Sequence, residues 1–339
     1  MTVVSLLTRG QSKAIWWKSA VVLLAIGVFV LGPAGVSAGG STELTVLTEP
    51  NAGMTPIYRI LASAQRAVDL TMYELSDRTL EGILVADAAR GVKVRVLLDQ
   101  RYEESANTPA FTDLSHHGVA VRWAPSRYNL THEKAAVIDG RSALVMTLNF
   151  TSEYYGTSRD FAVLDTTPSD VVAIETVFNH DWTNAPVVPS NGSDLVWSPG
   201  AEGALVGMID SARHTLLVEN EEMDDPYITT PLEAAARRGV TVEIVMTDST
   251  EWSSSFAQLA RAGVRVRTFA PGSAIYIHAK VIVADLGEAD RESFVGSQNF
   301  SISSLVDNRE LGIISNAPGL AHALATAVQA DFAAASPWS

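Results

Sequence analysis

The chain of 339 residues has no cysteine, so even an oxidising compartment offers it no disulfide, and its core must hold by packing alone. Lysine is nearly as scarce. Five occur, and Lys13 and Lys18 lie in the first eighteen residues, which leaves Lys93, Lys134 and Lys280. A solvated surface uses lysine freely, so a chain that avoids it and keeps Lys134 and Lys280 in one repeated nine-residue pattern is expected to need an ammonium at those two. Positive charge is short overall, with 24 Lys and Arg against 38 Asp and Glu and a net charge of −14. Residues 1–38 hold Arg9, Lys13 and Lys18 and no acid, so the remainder carries −17. Beyond them the basic cluster is Arg237-Arg238 alone. A general nucleic-acid surface gains its affinity from a basic stripe that releases counterions; this composition excludes one, though not a local basic site. The apolar run Ala20 to Leu31 is twelve residues, short of the roughly 20 that span a bilayer.

That run has the layout of an export signal. Arg9, Lys13 and Lys18 precede it, Gly32-Pro33 breaks it, and the small residues Val36-Ser37-Ala38 suit a signal peptidase. Residues 1–38 are therefore expected to be a signal peptide, with an uncleaved anchor as the alternative. Either way the rest is expected to be secreted or held at an extracytoplasmic surface.

The remainder repeats itself. "LVADAARGVKVRVLLD" (Leu84 to Asp99) is answered by "LEAAARRGVTVEIVMT" (Leu232 to Thr247), and "FTDLSHHGVAVRW" by "FAQLARAGVRVRT". Gly91 and Gly239 are 148 residues apart, His132 and His278 are 146 apart, and Asn149 and Asn299 are 150 apart. The expected domains are 39–184 and 201–339, joined by a linker at 185–200 rich in Pro, Asn, Gly and Ser. Within each half helical and strand patterns alternate. Ile57, Ile60, Leu61, Ala64 and Val68 keep helical spacing after Pro56, "VDLTMYEL" reads as a strand, and "TLEGILVADAAR" reads as a helix stopped by Gly91. "VKVRVLL" is a nearly all-apolar strand, Asp139-Gly140 marks a hairpin, and Thr167-Pro168-Ser169-Asp170 opens a further helix. The fold class is α/β, in two tandem α-β-α domains related by internal duplication.

Two of the three remaining lysines share one pattern: "THEKAAVID" (Thr131 to Asp139) and "IHAKVIVAD" (Ile277 to Asp285). Side chains two apart on a strand project to one face, so His132 points with Lys134 and His278 with Lys280. Thr147 and Asn149, and Ser297 and Asn299, are likewise two apart on the following strand. Each half thus offers imidazole, ammonium, hydroxyl and carboxamide on one patch, and two patches face to face make one site. That set suits a phosphodiester. A neutral imidazole attacks phosphorus, a protonated one donates to the leaving oxygen, and lysines and amides hold the non-bridging oxygens. Thr147 and Ser297 are expected to bind substrate. Asp139 and Asp285 fall at odd offsets, off the His/Lys face, and are expected to be structural. No metal or other cofactor is required, and lysine is a poor zinc ligand.

The doubled HxKxxxxD motif, followed by Asn149 and by the "GSQN" of Gly296 to Asn299, resembles the phospholipase D superfamily over about residues 44–338. The resemblance implies a phosphohistidine, with His132 as nucleophile and His278 as general acid and then base. It also implies an acid behind each histidine, paired across the halves: Glu310 ("DNRELGI") with His132 and Asp160 ("SRDFAVL") with His278. The first copy departs from the pattern, with Met146 and Thr147 in "MTLN", and the methionine is expected to crowd the phosphate.

Other candidates are weaker. His116 and His117 end a helix before Gly118, where a cation is favoured without chemistry. Tyr73, Trp123, Tyr128, Trp252 and Tyr276 are candidate lipid-pocket aromatics. The function expected first is phospholipid hydrolysis to phosphatidic acid and a head-group alcohol at a membrane surface, by a monomer holding both half-sites, with choline and ethanolamine head groups favoured by the acidic rim. The rivals are a metal-independent endonuclease of the same superfamily, a phosphatidyltransferase of cardiolipin-synthase type, and a dead binding module. The acid balance disfavours the nuclease, the lack of a membrane-spanning run after residue 38 disfavours the synthase, and the intact His, Lys and Asn of both copies disfavour the dead module. Because His and Lys supply the chemistry, EDTA is expected to leave turnover unchanged; activity lost to chelator and restored only by added metal would overturn the phosphohistidine reading.

Overall fold

A strand that is apolar at every position has a core on each side, and here the two sides belong to different cores. The computed structural model describes residues 44–339; the expected signal peptide, residues 1–38, lies outside the described residues. The first half runs β1 (Leu44–Glu49), α1 (Thr55–Ala62), β2 (Ala67–Met72), α2 (Arg78–Ala89), β3 (Lys93–Leu98), α3 (Glu104–His116), β4 (Ala120–Trp123), β5 (Ala135–Ile138), β6 (Ser142–Met146), β7 (Ser158–Asp165) and α4 (Pro168–Trp182). The second half repeats it as β8 (Leu195–Ser198), α5 (Glu202–Ser211), β9 (Thr215–Glu219), α6 (Pro226–Arg237), β10 (Thr241–Thr247), α7 (Ser253–Arg261) and β11 (Arg265–Phe269). It continues with β12 (Tyr276–Ile277), β13 (Val281–Ala284), β14 (Glu292–Gly296), β15 (Glu310–Ser315), α8 (Pro318–Ala334) and β16 (Ser336–Pro337).

The first sheet has the order β1-β7-β6-β5-β2-β3-β4, and the second has β16-β11-β10-β9-β13-β14-β15-β8. Read in reverse and with β16 set aside, the second order matches the first. Helical crossovers make β2, β3 and β4 parallel, while hairpin connections make β5, β6 and β7 antiparallel. Asp139 (φ 57°) and Gly140 (φ 62°) form the β5–β6 turn, the left-handed pair that a two-residue hairpin needs.

Alternation along the central strands divides the cores. Ala136, Ile138, Leu144 and Met146 pack outward with Leu61, Leu80, Leu84 and Leu114 of α1 to α3. Their neighbours Ala135, Val137, Ala143 and Val145 face a central core shared with Val281, Val283 and Leu311 of the second sheet and with α4 and α8. On the other side of the second sheet, Ile282 and Ala284 pack with α5 to α7. The two halves therefore share one buried interior. Among the described residues no helix is long and apolar enough to cross a membrane.

Two sequence expectations are corrected. The helical spacing taken through Val68 ends at Ala62, and Val68 lies in β2; the amides of Gln65, Arg66 and Ala67 are bound by the Asp139 carboxylate, which starts the strand there. The linker expected at 185–200 includes β8, whose Leu195, Val196 and Trp197 are buried and pair with β15. Composition hid this strand because its apolar run is only three residues long between polar neighbours.

The halves are clamped across by buried ion pairs. Arg309 Nε of the second half donates to Asp181 Oδ2 at the end of α4 at 2.9 Å, and Arg159 of the first half donates to Asp331 Oδ1 near the end of α8 at 3.0 Å. All four side chains are buried. Removing one partner leaves an uncompensated buried charge, so Asp181→Ala and Asp331→Ala are each expected to lower stability by about 3–5 kcal/mol in denaturant titrations. Arg213→Ala, which breaks an exposed pair with Asp290 at 3.7 Å, is expected to cost less than about 1 kcal/mol.

Candidate active site

The two His-x-Lys triplets lie in breaks before β5 and β13, not within the strands as the sequence suggested. The reason is an exchange between halves. The amides of His132 and Glu133 donate to the Arg309 carbonyl at 3.0 and 2.9 Å, and the His278 amide donates to the Arg159 carbonyl at 3.3 Å. Each arginine directly precedes the acid that serves the histidine it receives. Glu310 Oε2 lies 3.0 Å from His132 Nδ1, and Asp160 Oδ1 lies 2.7 Å from His278 Nδ1. With Nδ1 of each ring facing a carboxylate, Nε2 is the nitrogen left for chemistry.

The acids are themselves fixed. Glu310 Oε1 accepts from Ser304 Oγ at 2.5 Å and Asn308 Nδ2 at 2.9 Å. Burial would raise its pKa, but His132, Lys134 and Ser304 hold it below the ordinary carboxylate range. Burial and then Lys134 hold His132 below the usual imidazole range, against the pull of Glu310, which leaves a neutral ring with a free lone pair. Lys134 and Lys280 are both buried. Lys134 Nζ donates to the His132 carbonyl at 2.7 Å and lies 4.9 Å from the Tyr73 ring centre. Its pKa is pushed down to about 7 by burial and by the neighbouring Lys280. Lys280 Nζ donates to the His278 carbonyl and, at 2.9 Å, to Glu221 Oε2.

Other residues singled out in the sequence divide. Asn149 and Asn299 follow β6 and β14, and the Oδ1 of each is buried without a hydrogen-bond partner. Thr147 and Ser297, expected to bind substrate, are turned away and fully buried. Thr147 Oγ1 donates to Asp160 Oδ1 at 2.5 Å and accepts from the Phe161 amide at 2.9 Å. Ser297 Oγ accepts from the Leu311 amide at 3.2 Å. Both hydroxyls hold the next strand and not a ligand. Met146 does not crowd the phosphate, since its side chain lies in the outer core of the first half.

Asp139 and Asp285 stand outside the site. Asp139 accepts from the amides of Gln65, Arg66 and Ala67, and Asp285 from those of Arg213, His214 and Thr215. Burial would raise their pKa values, but these amides hold both low. Of the five aromatics, Tyr73 meets His132 edge-on at 4.6 Å and Tyr276 lies 6.5 Å from His278, ring centre to ring centre. Trp123 stacks on Phe111, Tyr128 carries Arg309, and Trp252 packs against the outer core of the second half. His117 Nδ1 bonds the Asp113 carbonyl at the end of α3. Among the described residues no three His, Asp or Glu side chains converge as metal ligands.

Sequence reasoning missed Glu221. It has no motif and sits after β9, and only alignment of the two halves against each other exposes it, opposite Tyr73. It lines a cleft of about 600 Å³ with Asn149, Asp160, Tyr154, Tyr276 and His278, so the open side of the site lies toward His278.

Comparisons with known proteins identify the family. A family model described as "Cardiolipin synthase, PLD-like domain" matches residues 57–182 and again 205–334. The chain is similar to the major cardiolipin synthase ClsA of Bacillus subtilis (strain 168), 26% identical over 325 residues that cover 78% of this chain and 66% of that protein. It is also similar to cardiolipin synthase B of Escherichia coli (strain K12), 25% identical over 306 residues that cover 76% of this chain and 72% of that one. The chain thus spans about two thirds of the length of these relatives. The phosphatidylserine synthase of Haemophilus influenzae Rd KW20 shares the fold, with a TM-score of 0.67 at 16% identity over 86% of each chain.

The lowered pKa of Lys134 has a defined sign. The ammonium is present below about pH 7 and is lost as pH rises through that value. Binding of an anionic diester to the free protein is therefore expected to weaken above neutrality, by about tenfold, the worth of one charge-assisted hydrogen bond. Calorimetric titration of a non-reacting diester from acid to alkaline pH checks this; constant affinity across that range would contradict it.

Proposed function

The chain belongs to the phospholipase-D-like family that matches both of its halves, and from that premise we propose that it is a phosphatidyltransferase, moving a phosphatidyl group from one phospholipid to a hydroxyl of a second. His132 Nε2 attacks phosphorus, the bond from phosphorus to the head-group oxygen breaks, and His278 gives that oxygen a proton. The phosphatidyl group is then held on His132. A hydroxyl of the second lipid enters on the cleft side, His278 takes its proton, and the new oxygen displaces His132 from phosphorus. Lys134, Lys280 and the amides of Asn149 and Asn299 hold the non-bridging oxygens as charge builds on them. Water in place of the second lipid gives phosphatidic acid, the hydrolysis placed first in the sequence reading.

One observation carries the mechanism: each histidine is oriented through Nδ1 by an acid from the opposite half. Only the assembled duplication makes a complete nucleophile and a complete acid. The preference for transfer over hydrolysis is supported by the relatives, whose names are those of cardiolipin synthases. Residues 1–38, read as an export segment, would put the reaction at an extracytoplasmic membrane surface. One chain suffices, since it supplies both half-sites.

The test is product analysis on phosphatidylglycerol vesicles. Cardiolipin is expected in excess of phosphatidic acid, and His132→Ala and His278→Ala are each expected to abolish both, while His116→Ala and His117→Ala leave both unchanged. Lys134→Ala and Lys280→Ala are expected to cost about 2–4 kcal/mol of transition-state stabilisation each. Phosphatidic acid as the sole product would make the protein a hydrolase. Single-stranded DNA cut with lipid untouched would make it a nuclease.

A further inference from the structure

Duplication lets the half-sites be compared position by position, and they differ in charge where the catalytic lysine and histidine meet Tyr73 in one half and Glu221 in the other. Leu75 bridges Phe150 and Met223 bridges Phe300, so Tyr73 and Glu221 occupy equivalent places two residues earlier. Tyr73 sets a neutral ring against His132 and Lys134. Glu221 sets a carboxylate against their counterparts: Oε2 is 2.9 Å from Lys280 Nζ and 3.5 Å from His278 Nε2. The Tyr276 hydroxyl donates to Oε1 at 2.7 Å and holds the group there. Burial would raise the pKa of Glu221, but Lys280 and His278 hold it well below the ordinary range, so the charge is permanent. A carboxylate oxygen thus stands where Lys280 and His278 would hold a phosphate oxygen.

We propose that Glu221 is a specificity residue, which makes the site accept singly charged phosphodiesters and reject doubly charged phosphomonoesters. The inference rests on the reading of the site as one for phosphodiesters and deepens it. A diester carries one negative charge, and a monoester approaches two above its second pKa of about 6. Glu310 and Asp160 are each engaged by a histidine Nδ1, on the side of the ring away from the reacting nitrogen, which leaves Lys134 and Lys280 to face the ligand. Glu221 pairs with one of these two ammonium groups, so the ligand meets one ammonium without a carboxylate partner, Lys134, which matches the single charge of a diester. The second charge of a monoester meets a carboxylate a few ångströms away in a site of low local dielectric, where repulsion is strong. A phosphatidic acid formed by stray hydrolysis is a monoester and is released for the same reason.

The test is binding, independent of lipid turnover. In the full chain carrying His132→Ala, which cannot form the covalent intermediate, p-nitrophenyl phosphate and bis-p-nitrophenyl phosphate are titrated by calorimetry at about pH 6.5, where Lys134 is still an ammonium and the monoester is already mostly doubly charged. The monoester is expected to bind more weakly than the diester. Adding Glu221→Gln, which keeps the shape and removes the charge, is expected to strengthen monoester binding by at least about tenfold while changing diester affinity much less. Glu221→Tyr, copying Tyr73, is expected to act in the same direction. A monoester that binds the His132→Ala protein more tightly than the diester, or no binding of either, overturns the inference whether or not the second variants fold. Equal weakening of both ligands by Glu221→Gln would reduce the residue to a structural role and also overturn it. A protein that transfers no phosphatidyl group yet shows this switch keeps the inference and loses the transferase reading; one that makes cardiolipin without the switch does the reverse.

Discussion

Everything at this site depends on an exchange of acids between the halves. His132 is oriented by Glu310 and His278 by Asp160, and the segment carrying each acid is docked by its preceding arginine. The Arg309 carbonyl receives the amides of His132 and Glu133 while its guanidinium reaches Asp181, and Arg159 does the same with His278 and Asp331. One residue thus ties backbone, side chain and catalytic acid to the opposite domain. A single half would present a histidine without its carboxylate and a buried arginine without its partner. Both are costly in a low-dielectric interior, so the duplication is obligatory for the site as well as for the shared core.

Burial sets the chemistry. Two lysines are almost fully inaccessible; burial first, and then repulsion from Lys280, lowers the pKa of Lys134 and calls for carboxylates close by. Burial also keeps His132 neutral while Glu310 orients it. The acidic rim was expected to favour cationic head groups. That argument weakens once the acids are followed to their partners, since Asp160 meets His278 and Glu221 meets Lys280.

The halves have diverged where packing allowed it. A Cβ on Gly296 would meet Gln298 Oε1 and Gly312 Cα, each at 2.5 Å, so the second copy is confined to glycine there. In the first copy the equivalent neighbours are Leu148 and Ala162, and Met146 fills the outer core. This difference lies behind the sheet and leaves the site intact. The change from Tyr73 to Glu221 lies in front of it and alters the charge the ligand meets.

Sequence alone determined the α/β duplication, the alternating strands and the doubled His-x-Lys and Asn pattern, because periodicity and repeat spacing are local properties that one chain displays in full. It also separated Asp139 and Asp285 from the His/Lys face by their odd offset, and they bind backbone amides far from the histidines. The crossed acid pairing came only through family resemblance, since nothing in the spacing of Asp160 and Glu310 says which histidine each will meet. Tertiary structure alone decided that Thr147 and Ser297 support the next strand, that Leu195 to Ser198 form a strand inside an expected linker, and that Glu221 stands against Lys280. Each of these depends on which groups the folded chain brings together from distant positions, and side-chain identity by itself carries no record of its partner.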